Sequence, residues 1–343
     1  MDLWITARSV EVTESPTGTR PIQVIGGRSL AVAWSGSPAG WVDLDAVAKR
    51  PNGKLSLWRT ERNSEISIIQ VAEIALAPFA SVDGENAALN TIVVGEAESL
   101  TTATAIAAYI NSKLARFYWA IKLRSGVIQG YYAHIYPRAL DNLPWPKSLD
   151  EQPLADAYDQ LSELAKRAKD NPAEWLLTET KRRIETGNLR LTEPALGLRF
   201  LEGGAETPTE ELRLEGNRIE PFAEFADEAL AEYVFLILTK TAEDDKPIKV
   251  ADVQKLLIPK DYETLLKEFH QRMKDFQLVE QNFMQALEAL DTAVFDAFGI
   301  TPEERDIVNE RLSRFPLNRL QPRYPWQTVR PRPIKSYMED RFV

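Results

Sequence analysis

The chain has 343 residues, 44% hydrophobic, 27% charged and 9% aromatic, which suits about two folded domains of ordinary composition. It contains no cysteine and only two histidines, His134 and His270, so disulfides, thiolate nucleophiles and cysteine metal sites are excluded and a histidine zinc site is not expected. The net charge of −10 is uneven: residues 1–150 hold 14 basic and 14 acidic side chains, 151–315 hold 21 and 35, and 316–343 hold 6 and 2.

Residues 1–98 read as short strands between turns. Ile22–Val24, Ser29–Trp34, Leu55–Trp58, Ile66–Leu76 and Thr91–Val94 are rich in β-branched and aromatic residues. Gly26-Gly27, Gly36–Gly40, Pro51-Asn52-Gly53 and Asp83-Gly84 punctuate them. From Leu100 the apolar period changes to three and four. Ile106, Ile110, Leu114, Phe117 and Ile121 predict one amphipathic helix with Asn111-Ser112-Lys113 inside it, ended by Ser125-Gly126. Leu114, Phe117 and Ile121 are expected in the core. An extended piece over Val127–Tyr136 leads to Leu143-Pro144-Trp145-Pro146, a stiff exit.

Helices are predicted at 151–169 and 172–186, with Pro172 in the first turn of the second. Strand-like segments return over 188–221, and helices resume at 223–241 and dominate to Arg314. Gly299, Thr301, Pro302 and Glu304 spell a helix stop followed by a capped start. The tail from Pro316 holds five prolines and six basic residues, too much proline for a helix. No apolar run approaches the roughly 18 residues of a membrane span, and the N-terminus lacks a signal-peptide pattern. A cytoplasmic protein with no membrane partner is the expectation.

The fold class expected is α+β. A β-rich domain with one packed helix occupies 1–150. A mostly helical domain with a β insertion near 188–221 spans 151–315, and a Pro/Arg-rich tail covers 316–343.

Motifs of independent catalysis are missing: no Walker loop, no dinucleotide-binding glycine pattern and no serine-hydrolase elbow. Asp170 with Glu179-Thr180-Lys181 is the nearest approach to a magnesium nuclease, but residues two apart on a helix face different ways. A different signal lies between Ser99 and Leu140. This window holds Lys113, Arg116, Lys122, Arg124 and Arg138, seven interleaved aromatics and no acidic residue. Positive charge among aromatics is one footprint of nucleic-acid binding. A buried helix and strand would exclude carboxylates equally well. Asn111 and Ser112, mid-helix, are expected to fix packing rather than touch DNA, and His134 reads equally as a DNA contact or a half-buried histidine.

Ala105–Trp119, with its Asn111-Ser112-Lys113-Leu114 run, is followed by Ser125-Gly126 and by Leu143-Pro144-Trp145-Pro146. This order resembles the C-terminal specificity, or target-recognition, domain of adenine-N6 DNA methyltransferases from restriction–modification and related phage-defence systems. Gly26–Leu30 is similar to that family's first glycine-arginine strand, and Asn86–Val94 to the asparagine-containing strand before its helix. Leu287–Glu304 resembles its helical ending. The resemblance covers residues 20–150 and 280–312 and leaves 190–280 unassigned.

It implies a non-catalytic module, on or beside a methyltransferase domain or subunit, that reads double-stranded DNA. No catalytic residue, metal site or cofactor is expected on this chain. The family's glycine-rich cofactor loop and Asn/Asp-Pro-Pro-aromatic tetrapeptide are missing, so S-adenosylmethionine is implied only for the catalytic half or partner. The DNA-binding candidates are Arg28, Arg59, Arg62, Lys122, Arg124, Gln129, Tyr131 and Arg138. Lys122 and Arg124 suit phosphates and Gln129 suits adenine; the basic tail from Arg319 to Arg341 is the next candidate surface. Two rival readings are a protein–protein scaffold of a defence complex, which the acidic middle favours, and the magnesium nuclease.

Overall fold

A computed structural model describes residues 13, 15–25, 30–35, 40–43, 45, 67–72, 79–82, 87–88, 92–122, 140, 142–168, 171–192, 196, 199–200, 211–215, 219–224, 227–241, 256–314 and 323–327. These residues form a mixed α and β protein, about 63% helix with several small sheets. The chain divides into two compact units. Residues 1–169 and 279–331 fall in one, and residues 170–278 fall in the other. This grouping differs from the boundaries read along the sequence, because the helices after residue 279 rejoin the N-terminal strands instead of the helices beside them in sequence.

In the first unit, β1 (Pro21–Ile25) pairs antiparallel with β4 (Gly40–Asp43). The residues from Leu30 to Ser35, expected as one strand, form two short ones, β2 (Leu30–Ala31) and β3 (Trp34–Ser35). The turn between them places Ala33 at φ 54°, a left-handed conformation that disfavours a side chain. Two bonds hold it there: Ala33 N–H donates to the Ala80 carbonyl at 3.2 Å, and Val32 N–H to the Arg323 carbonyl at 2.9 Å.

The main sheet has β5 (Ser67–Ala72) at its centre, flanked antiparallel by β6 (Ala80–Val82) and β8 (Ile92–Ala97). Ile69 and Val71 alternate inward on β5, as a half-buried strand requires. A short β7 (Ala87–Ala88) runs parallel to β1. The Leu55–Trp58 strand expected from sequence lies outside the described residues.

The single helix expected from Leu100 is two helices, α1 (Leu100–Asn111) and α2 (Lys113–Lys122). Ser112 separates them with extended torsions, φ −80° and ψ 162°. The break resets the phase of the apolar stripe. Ala115, Arg116 and Trp119 become the buried positions of α2, and Leu114 and Phe117 are only half-buried. Ile121, expected in the core, is 56% exposed.

Helix α3 (Gln152–Ala168) packs on α1. Later in the chain, α6 (Tyr262–Ala297) brings Phe283, Leu287, Leu290 and Val294 to the same core, and α7 (Pro302–Arg314) packs against α2. Part of the proline-rich tail is structural. Pro325–Gln327 forms a 3-10 turn, Tyr324 and Trp326 stack 5.0 Å apart against the first core, and Arg323 lies over Phe79.

The second unit contains α4 (Pro172–Thr186), β9 (Asn188–Arg190), β10 (Arg199–Phe200), β11 (Glu211–Glu215), β12 (Ile219–Glu224), α5 (Glu228–Thr241), β13 (Leu257–Pro259) and the first half of α6. The helix expected from 223 starts at 228 because β12 continues to Glu224. Leu230, Tyr233, Val234 and Ile237 recur at helical spacing on α5 and meet Leu176, Ile258, Leu265 and Phe269. Inside this core the Thr180 and Tyr233 hydroxyls share a hydrogen bond of 2.7 Å.

Candidate nucleic-acid interface

The acid-free window begins on α1, and its first half is core. Tyr109 and Trp119 are buried, and burial pushes the Tyr109 phenol up to about 12. Its ring lies 4.5 Å from Phe298 and 6.1 Å from Trp145, so the Leu-Pro-Trp-Pro exit and the end of α6 close on the same aromatic centre.

Asn111 sits at the end of α1 with no exposed surface. Its Oδ1 accepts the Ala80 N–H and its Nδ2 donates to the Ala80 carbonyl, both at 2.8 Å. The side-chain amide therefore serves the edge of β6 as a neighbouring strand would. One pair further along, the Val82 N–H donates to the Tyr158 hydroxyl on α3 at 2.8 Å. Ser112 Oγ donates to the Tyr109 carbonyl at 2.7 Å and accepts the Ala115 N–H at 3.3 Å, serving both helix ends. The packing roles expected of Asn111 and Ser112 are the ones observed.

Two basic residues of α2, Lys113 and Arg116, lie near a carboxylate of α6. Lys113 N–H donates to Asp291 Oδ1 at 2.6 Å, and Lys113 Nζ lies 3.4 Å from Oδ2, close enough for an ion pair but without hydrogen-bond geometry. Arg116 is 8% exposed and Asp291 3% exposed, so both ionisable groups are buried. Burial pushes the Asp291 carboxyl up against the pull of Lys113 and Arg116, and pulls the Arg116 guanidinium down against the pull of Asp291. Arg116 is therefore an interior charge, whereas Lys113 reaches Asp291 from a half-buried position.

Asp291 lies within the Leu287–Glu304 stretch but is not among the candidate site residues. Its signal is an acid on the apolar face of α6, four residues after Leu287 and three before Val294.

Of the DNA-binding candidates, Arg28, Arg59, Arg62, Arg124, Gln129, Tyr131 and Arg138 lie outside the described residues, as does His134. Lys122 is the last residue of α2, and its side chain is not described. The structure does describe the chain on either side of residues 123–139. Residues 123–139 leave α2 at one end and rejoin the described chain at Leu140, which packs on the first core. The Tyr118 hydroxyl donates to the Asn142 carbonyl at 3.1 Å, tying α2 to the point of return. A stretch with Arg124, Gln129, Tyr131 and Arg138 and no acid is thus tethered at both ends.

Among the nuclease residues that are described, Glu179 is engaged by arginines. Glu179 accepts from Arg182 Nε at 2.9 Å and from Arg183 Nε at 2.8 Å, which holds its carboxyl down at about 2. Arg183 reaches on to Asp261 and Glu268, making a self-compensating surface network. Lys181 is exposed and Asp170 lies outside the described residues. His270 is also at the surface, its Nε2 3.2 Å from Glu232. No group of three or more potential metal ligands occurs among the described residues, and no described helix is long and apolar enough to cross a membrane.

Comparison with protein-family models, curated proteins and solved structures finds no match to this chain.

Proposed function

We propose that this chain is a cytoplasmic DNA target-recognition module that serves an adenine-N6 DNA methyltransferase domain or subunit. One observation carries the reading. The stretches that resemble the specificity-domain family, 105–119, 143–146 and 287–304, are separated in sequence yet meet around Tyr109, Trp145, Phe298, Lys113 and Asp291. In this reading the first unit is the β-rich platform, α1 and α2 are its packed helices, and residues 123–139 are presented to DNA from the end of α2. Lys122 and Arg124 contact phosphates and Gln129 reads a base edge, while S-adenosylmethionine belongs to the partner.

The test is binding of the full chain to a mixed-sequence duplex of about 30 base pairs over a range of salt. Affinity should fall steeply as salt rises, because phosphate contacts release counterions. Neutralising Lys122 and Arg124 together should weaken binding to every sequence and lower the salt slope by about one unit per lost contact. Gln129→Ala should instead relax sequence preference. Salt-independent or undetectable binding would favour a protein–protein scaffold.

A further inference from the structure

The segment Arg323, Tyr324, Pro325, Trp326 is held by groups from three distant parts of the first unit. The Arg323 carbonyl accepts the Val32 N–H at 2.9 Å, and Arg323 Nη1 donates to the Leu30 carbonyl at 3.4 Å, from 293 residues away. The same guanidinium lies over the Phe79 ring, 5.5 Å from its centroid. On α6, Phe283 meets Tyr324 and Trp326 edge-on at 6.2 and 5.3 Å, and those two rings stack on each other. Pro325 is buried, and its three neighbours in the segment are half-buried.

The seat is largely built without this segment. Strand β2 pairs with β3, the left-handed Ala33 donates its N–H to the Ala80 carbonyl, and Asn111 clamps Ala80 with both halves of its amide. Phe283 is fixed by the core it shares with Leu154 and Leu161. What the seat still requires is an acceptor for Val32, a residue with no exposed surface, because a buried amide left unpaired is costly. To a cation it offers the Leu30 carbonyl and the Phe79 ring face; to aromatic rings it offers Phe283. A main-chain bond combined with separate side-chain seats is how extended peptides are recognised. Strained backbone such as that of Ala33 is common at ligand clamps.

We propose that residues 30–33, Phe79 and Phe283 form a peptide-docking site for a partner segment of the pattern basic–aromatic–proline–aromatic, with residues 323–326 as its internal competitor. The seated segment itself defines the chemistry of the partner. These contacts come from within four consecutive residues, so the covalent link to the rest of the chain supplies local concentration and no recognition. Docking here is separate from the DNA-reading role proposed above.

The experiment titrates a fluorescently labelled synthetic peptide of residues 321–329 into the full chain and follows anisotropy. The double variant Tyr324→Ala, Trp326→Ala, whose own segment has lost both rings, should bind the peptide at least about ten-fold more tightly than the parent, because a tethered competitor acts at roughly millimolar effective concentration. An Arg323→Ala peptide should bind the variant about three-fold more weakly, and a peptide without either ring should not bind. Hydrogen exchange should show the Val32 amide less protected in the variant, and the peptide should restore its protection. Should the double variant not fold, Trp326→Ala carries the same expectation at about three-fold.

No binding by the folded variant, equal binding by parent and variant, or Val32 protection unchanged by the peptide would overturn the proposal. So would a parent chain that sediments as a dimer and becomes monomeric with Trp326→Ala, since the segment would then occupy a second copy.

Discussion

Asn111 illustrates how much one buried amide settles. Both halves of its side chain are used on Ala80, and no solvent is there to replace them. Removing it strands the Ala80 N–H, while the Ala80 carbonyl keeps its bond from Ala33. Asn111→Ala should therefore cost about 1–3 kcal/mol, the penalty of a buried unsatisfied donor. Asn111→Asp should cost more, because a carboxylate oxygen would then face the Ala80 carbonyl without a proton between them. Denaturant unfolding ranks the two variants; an aspartate that matched the parent would show that the amide's donor half is dispensable. Arg116 is the converse case. Its Nε has no hydrogen-bond partner among the described residues, and burial pulls its guanidinium down against the opposing pull of Asp291. Composition counts such a residue as surface charge, although it acts inside the core.

At the scale of elements, helix ends behave as their local sequence dictates. Asn171 caps α4 by accepting the Ala173 N–H at 2.9 Å, and Pro172 occupies the first turn. Between α6 and α7, Gly299 has φ 67°, and Ile300 N–H returns to the Phe295 carbonyl at 2.9 Å, a Schellman closure. Thr301 then exchanges bonds with Glu304 in both directions, at 2.9 and 3.3 Å. Thr301→Ala should cost about 0.5–2 kcal/mol. An added methyl at Gly299 meets nothing within 4 Å, so Gly299→Ala should cost only the left-handed strain, about 1–2 kcal/mol. Thermal unfolding of both variants checks these values, and a neutral Gly299→Ala would mean that the left-handed turn is not needed. The break at Ser112 is different in kind. No glycine or proline marks it; Ser112 Oγ serves both helix ends locally, and Asp291 adds an acceptor for the Lys113 amide that the local sequence does not contain.

For the whole molecule, the two units should answer acid differently. Glu179 in the second unit has its carboxyl lowered to about 2 from an ordinary 4.5 by Arg182 and Arg183. The stability this gives is complete above about 4.5, fades as the pH falls and is gone below about 2. Asp291 in the first unit is shifted the other way by burial, so its cost is felt when ionised and shrinks as acid protonates it. Hydrogen exchange followed from pH 4.5 downward should therefore show α4 losing protection, with Glu179→Gln flattening that loss. The parent and Glu179→Gln losing protection in α4 alike would show that the network contributes nothing. The sequence by itself determined the helices at 152–168 and 172–186, the cap at 299–304, the β-rich start and the window without acid, because each is a local matter of torsion, period or composition. Only the tertiary structure decided that the helix breaks at Ser112, that Ile121 faces outward, that Arg116 is buried and that residues after 279 rejoin the first core. These depend on which distant groups arrive to satisfy a buried amide or charge, and periodicity along one segment carries no information about what will be packed against it.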